Sequence, residues 1–286
     1  MTTGARRGIV LMVVAMGLFS LSDVMAKRLM ATLPAIEIVW IRYGALALSV
    51  VWMIARRGEL PRTARPAMQT GRGALLVVST VCYNFGLAFL PLATATALVF
   101  SSPLFVIVLS VLFLHEHFPP RRWSWPLLGF AGVLIVANPD PASFDPAALF
   151  PFAASVLWAA AMVMTRRIAA TESAFSILAW SSGVAVLLLS AAAPFVFVMP
   201  ALSQGPEIVA MAFLWMVAQW CVVLAYQATE ASNTAPFTYT QLVWATFFSI
   251  VLLAQIPDSR TLAGVGLILI AGAGAALATR RPQPAK

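Results

Sequence analysis

The chain has 286 residues, of which 61% are hydrophobic and only 10% charged, against roughly 25% charged in a soluble domain. With a mean hydropathy of +0.91 it has too little polar surface to coat a water-soluble globule, which excludes a soluble enzyme or adaptor. The net charge of +8 comes from basic residues in short clusters between apolar runs. That is the pattern of loops held on one side of a bilayer, not of a nucleic-acid-binding face.

A helix needs about 20 mostly apolar residues to cross a bilayer. On that criterion the first half predicts spans at Gly8–Ala26, Ala35–Ala55, Gly73–Leu90, Ala93–Leu114 and Trp123–Ala137, the last of them short. The second half predicts Ala147–Met164, Ser173–Met199, Ile208–Ala228, Ala235–Ala254 and Thr261–Ala278. Arg6 and Arg7 before the first apolar run could open a secretory signal, but no small-x-small cleavage site follows, so an uncleaved first helix is expected. Pro91-Leu92 leaves room only for a hairpin between its flanking helices. The stretch NPDPAS at 138–143 is the clearest break and reads as a linker between halves at 1–138 and 144–286.

The expected fold is therefore an all-α membrane protein of ten transmembrane helices in two inverted five-helix repeats. Ten spans put both termini on one face. With the N-terminus inside, fourteen of the eighteen Lys and Arg residues are cytoplasmic. Only Lys27, Arg28 and Arg260 lie outside, and Arg42 falls within a span. The asymmetry predicts cytoplasmic termini in a multi-pass membrane protein.

The repeat is visible in the residues. Thr94–Ala137 and Ser232–Gly274 share a small-polar entry, an aromatic and hydroxyl patch (Phe100-Ser101-Ser102 against Tyr239-Thr240-Gln241), an apolar span, a polar turn and a glycine-bearing span. Two halves built from one repeat imply a carrier with its site between them.

Asp23 is the one carboxylate read as lying well within a span, where an ionisable group costs at least a few kcal/mol unless paired or hydrated. Lys27 lies at i+4, on the same face, and Arg42 of the second span can join them. The three read either as an ion-paired packing element near the outer surface, or as a gate with Asp23 as its proton site. Tyr83, Asn84, Phe100, Ser102, Trp158, Met162, Gln219, Tyr239 and Gln241 are aromatic, amide, hydroxyl or thioether residues within spans. Facing lipid would be unfavourable for the polar ones. Together they suit the lining for an amphipathic organic solute, while each alone fits ordinary helix packing. Pro103 and Pro236 sit at matching places in the fourth and ninth spans and are candidate hinges.

Other chemistry is not indicated. His115-Glu116-His117 lacks a second ligand cluster, so no metal site is read there, and no cofactor is expected. No GxxxxGK[ST] loop signals ATP-driven pumping, and no GxSxG elbow or CxxC pair signals an enzyme. Cys82 and Cys221 lie in apolar runs and read as core residues.

The segments FSLSDVMAKRL, PAIEIVWIRY, YNFGLAFLPLATATALVFSSPLFVIVLSVLFLHE, GFAGVLIVANP and ASNTAPFTYTQLVWATFFSIVLL, in that order, resemble the EamA family of the drug/metabolite transporter superfamily. Within it they are most like the YddG-type amino-acid exporters. The resemblance implies ten helices in inverted repeats, cytoplasmic termini and export of small metabolites by alternating access through a central cavity. It places the nine lining residues on helices of both halves. Amino acids are the expected solutes, with a monomer as the expected assembly. Multidrug or nucleoside-derivative transport, or a non-transporting scaffold or enzyme, are the alternatives. One departure is that the family's helix-end glutamate is kept as Glu116 but replaced by Gln255 in the second copy; a helix-end anchor tolerates that change and a proton site does not.

Overall fold

A computed structural model describes residues 3–115, 123–137, 145–168, 172–228 and 235–279. The linker at 138–143, Glu116 and His117 lie outside the described residues. Those described are all helical or connecting, with no strand among them. The elements are α1 (Thr3–Leu29), α2 (Ala35–Arg57), α3 (Pro66–Phe89), α4 (Leu92–Val99), α5 (Ser102–Leu114), α6 (Ser124–Ala137), α7 (Leu149–Ile168), α8 (Ala174–Val196), α9 (Gly205–Ala228), α10 (Thr240–Leu253) and α11 (Ser259–Thr279). Short 3₁₀ turns lead into α7, α9 and α10.

Among the described residues, seven helical stretches are long and apolar enough to cross a membrane, counting Leu92–Phe113 as one. The stretches at Ser124–Ala137, Phe237–Leu253 and Ser259–Gly274 are shorter. The 14 residues of α6 rise about 21 Å, less than a hydrocarbon core of about 30 Å.

The two halves share one register. Moving α2 by 139 positions (35 to 174, 57 to 196) reproduces the bounds of α8. The same step turns α3 into α9 (66 to 205, 89 to 228). It also carries the left-handed C-cap His115 (φ 54°), whose N–H bonds to Ser110 O, to Ala254 (φ 51°), whose N–H bonds to Ser249 O. Packing follows the same exchange. α1 packs on α9 as α7 packs on α3, while α2 with α8 and α6 with α11 pair across the centre. Gly132 permits that last approach, because a Cβ there would lie 2.7 Å from Gly264 O.

The fourth span is broken. Phe100 and Ser101 bond back three residues, to Ala97 O and Leu98 O, and Pro103 falls in the first turn of α5, where its missing N–H costs nothing. Pro103 thus starts a new segment rather than kinking a continuous helix. In the matching place Pro236 lies in a 3₁₀ turn ahead of α10.

Candidate functional site

Three helices bring charge together in the interior. Asp23 on α1 and Arg42 on α2 are 4% and 1% exposed, and the Arg42 guanidinium donates to Asp23 Oδ1 at 2.8 Å and to Ser22 Oγ at 2.9 Å. From α3, Asn84 Oδ1 accepts from Arg42 at 3.3 Å and the Tyr83 hydroxyl donates to Asp23 Oδ2 at 3.0 Å. Tyr83 also meets Thr96 Oγ1 of α4 at 3.2 Å. Both carboxylate oxygens therefore have a partner and the opposing charge lies in direct contact, the arrangement a low-dielectric interior demands.

Lys27 is not part of that pair. Its ammonium donates to Leu87 O and Leu90 O, at 2.8 and 2.6 Å, closing free carbonyls at the C-terminus of α3, where a cation is favoured. The i+4 spacing to Asp23 allowed a pair; the carbonyls of a third helix win. Arg72 departs from expectation too. Read as a loop residue, it lies in α3, 2% exposed. It donates to Gln69 Oε1, Ile177 O and Ser181 Oγ, at 3.2, 3.0 and 2.6 Å, all of them neutral acceptors.

Other expected lining residues fall in separate groups. The rings of Phe100 and Tyr239, matching positions in the two halves, lie 5.1 Å apart, where the halves meet. Ser102 is buried beside the α4–α5 break, and its neighbour Ser101 bonds Ser155 of α7 at 2.7 Å. The Gln241 carbonyl accepts from Ser20 at 3.3 Å. Trp158 is 39% exposed on α7, with Met162 half-buried one turn on and Gln219 half-buried on α9. Among the described residues these three make no hydrogen bond or ring contact with the Asp23–Arg42 cluster.

Sequence reasoning missed Ser22, Thr96, Glu37 and Glu172. Glu37, in the first turn of α2, is 2% exposed and accepts from the Val198 N–H at 3.0 Å. Glu172, before α8, accepts from the Thr63 hydroxyl at 2.6 Å and the Ala64 N–H at 3.0 Å. The Thr63 hydroxyl, foremost, holds its carboxyl below the usual carboxylate range. At a helix end, neither glutamate carries a sequence signal that separates it from an ordinary solvated residue.

The model of the EamA-like transporter family matches residues 6–138 and again 145–277, two blocks related by the 139-position step seen in the helices. This chain belongs to the EamA-like transporter family. Curated relatives span most of its length. It is 28% identical over 251 residues to an S-adenosylmethionine uptake transporter of Rickettsia bellii, covering 87% of this chain and 86% of that one. It is 30% identical over 273 residues to the pseudopaline exporter CntI of Pseudomonas aeruginosa, covering 93% and 94%. A riboflavin transporter of Rhizobium johnstonii is 30% identical, with 92% and 89% covered. A solved crystal structure superposes with a TM-score of 0.69 at 19% identity, covering 96% of this chain and 97% of that one, which establishes the fold. The EamA-like chain is thus a multi-pass membrane protein whose relatives move small molecules. Its second-copy Gln255 accepts from the Leu92 N–H at 3.4 Å, a bond between helix ends of the kind an anchor makes.

Proposed function

We propose that this protein is an inner-membrane exporter of small organic metabolites, foremost amino acids, working by alternating access between two inverted halves of five spans each. The observation that carries the reading is the buried Asp23–Arg42–Tyr83–Asn84 cluster at the junction of α1, α2 and α3. It is a charged, hydrogen-bonding site inside a helical frame whose two halves exchange contacts pairwise. Carriers of this build place their sites between the repeats. Outside the cluster, Phe100, Tyr239, Trp158, Met162, Gln219, Ser102 and Gln241 supply aromatic, hydroxyl and amide surface for the body of the solute, and both termini are cytoplasmic.

Export is the expected direction for amino acids. The substrates of the relatives favour a second reading, a nucleoside- or flavin-sized solute such as S-adenosylmethionine. Counterflow in proteoliposomes separates the two. Vesicles preloaded with single amino acids, S-adenosylmethionine or riboflavin are tested for uptake of the labelled compound, with and without a pH gradient. Selective exchange of an amino acid supports the first reading, and exchange of S-adenosylmethionine or riboflavin alone replaces it with the second. In the active exchange, Trp158→Ala and Gln241→Ala should each lower flux without lowering the amount of folded protein; unchanged flux in both removes the lining assignment.

A further inference from the structure

Two glutamates make the same kind of contact at opposite ends of the molecule. Glu37, at the start of α2 in the first half, receives the Val198 N–H from the segment after α8 of the second half. Glu172, just before α8 in the second half, receives the Ala64 N–H and the Thr63 hydroxyl from the segment between α2 and α3 of the first half. Each contact joins the halves through the segment that follows the second helix of a repeat. The ends they occupy are opposite, because Lys27 sets the end of α1 beside the start of α4, whereas Arg167 donates to Phe113 O and sets the end of α7 beside the end of α5. The likeness is one of element and not of residue, since the 139-position step takes Glu37 to Ser176.

The two contacts also share a deficit. Among the described residues, Glu37 Oε1 and Glu172 Oε2 are buried and have no hydrogen-bond partner. Gln69 faces Glu172 without closing a bond of standard length. Asp23, in contrast, has partners on both oxygens and a guanidinium in contact. The difference decides which carboxylates can let go. Breaking the Asp23 network strands a buried ion. Opening at Glu37 or Glu172 loses bonds to one oxygen but hydrates the idle one, so closed and open states stay near balance. A small apolar cavity bounded by Ile36, Trp40, Leu189 and Phe197 lies directly beside Glu37.

We propose that Glu37 and Glu172 are the two gate latches of the carrier, one closing each face by gripping the backbone of the opposite half, and that they release in turn. The inference rests on the alternating-access reading above. It makes Asp23–Arg42 a fixed element and moves the gating role to residues outside it.

Hydrogen–deuterium exchange of the full-length protein in lipid nanodiscs reads both latches, because the Ala64 and Val198 amides have no backbone acceptor. In Glu172→Ala, exchange should rise roughly tenfold across residues 59–69 and 172–179, while residues 197–204 stay as slow as in wild type. Glu37→Ala should do the reverse. Glu172→Gln and Glu37→Gln keep an acceptor and should give smaller rises on the same faces; they carry the test if an alanine variant does not fold. A rise confined to the single amide, or loosening of both faces by one variant, overturns the proposal. Counterflow on the same samples separates the two readings. Face-specific opening in a protein that exchanges none of the probe solutes keeps the latches and removes the carrier reading. Normal flux with no face-specific opening removes the latches alone.

Discussion

The two halves share a scaffold and differ in their charges. Moving 139 positions carries helix bounds, left-handed caps and ring partners from one half to the other, yet it takes Asp23 to Met162 and Arg42 to Ser181. The first half holds a salt bridge at 2.8 Å; at the matching place the second holds a thioether and a hydroxyl. Ser181 is not idle, because it receives Arg72, a buried cation of the first half held only by neutral acceptors. A symmetric frame lets two arrangements of the halves have similar energies, and an asymmetric interior makes the two faces chemically different. That combination suits a transporter built from inverted repeats.

The sharpest way to break the comparison is to remove one ion. Arg42→Met leaves Asp23 buried without its partner and should cost about 3–5 kcal/mol, a large share of the 5–15 kcal/mol typical of a domain. It should be read as lost folded protein or a lowered unfolding midpoint in detergent. Arg42→Met combined with Asp23→Leu removes both charges and should recover most of that loss. A double variant as unstable as the single would mean that the pair is not the source of the effect.

Arg72→Leu tests the other side. It removes a buried cation that no carboxylate contacts, and leaves a hydroxyl that keeps its bond to Ile177 O. The expected cost is smaller, about 1–2 kcal/mol for the neutral-acceptor bonds lost, in the same midpoint measurement. A cost equal to that of Arg42→Met would show that the two cations are equivalent and that the asymmetry is only geometric.

These residues also mark how far the sequence could be read. Most of the spans and the repeat were legible, the first as runs of about 20 apolar residues and the second as a pattern that recurs; three of the expected spans are shorter helices among the described residues. Asp23 and Arg42 stood out as charges in apolar runs. That Arg42 could reach Asp23 was readable, but not that the Tyr83 hydroxyl, 60 residues beyond Asp23, would hold its other oxygen, because such contacts depend on how helices pack. Lys27 took distant carbonyls over its i+4 neighbour. Arg72 read as a loop because Gln69, Thr70 and two glycines surround it. Glu37 and Glu172 occupy helix ends, where a carboxylate is ordinary, so nothing local told of a contact with the other half.

The contact across the centre can be sharpened with glycines. Gly132→Ala puts a Cβ 2.7 Å from Gly264 O and 2.9 Å from the Ile268 side chain. Because one obstacle is backbone, α6 and α11 must separate, and a loss of about 1–3 kcal/mol is expected. Gly266 has no atom within 4 Å of its would-be Cβ, so Gly266→Ala should leave the midpoint unchanged or raise it slightly through helix propensity. Equal effects from the two would mean that the α6–α11 approach is looser than this geometry.

The smallest effect concerns the turn ahead of α11, where Asp258 accepts from the Thr261 N–H at 2.8 Å. The Thr261 hydroxyl and then its amide hold the Asp258 carboxyl below the usual carboxylate range. Asp258→Ala removes the cap and should cost about 0.5–1 kcal/mol, toward the low end for caps because the site is exposed and water screens it. The sign of the pH dependence follows from the lowered value. The folded state binds the proton less readily than the unfolded chain, so the cap's contribution is present above the unfolded pKa of about 3.9. It is lost as pH falls through the lower folded value. The midpoint difference between wild type and Asp258→Ala should therefore be full at pH 7 and shrink below pH 4. No charge matches it at the start of α6 within the described residues. A difference that persisted undiminished through acid would mean that the side chain acts there by packing and not by its charge.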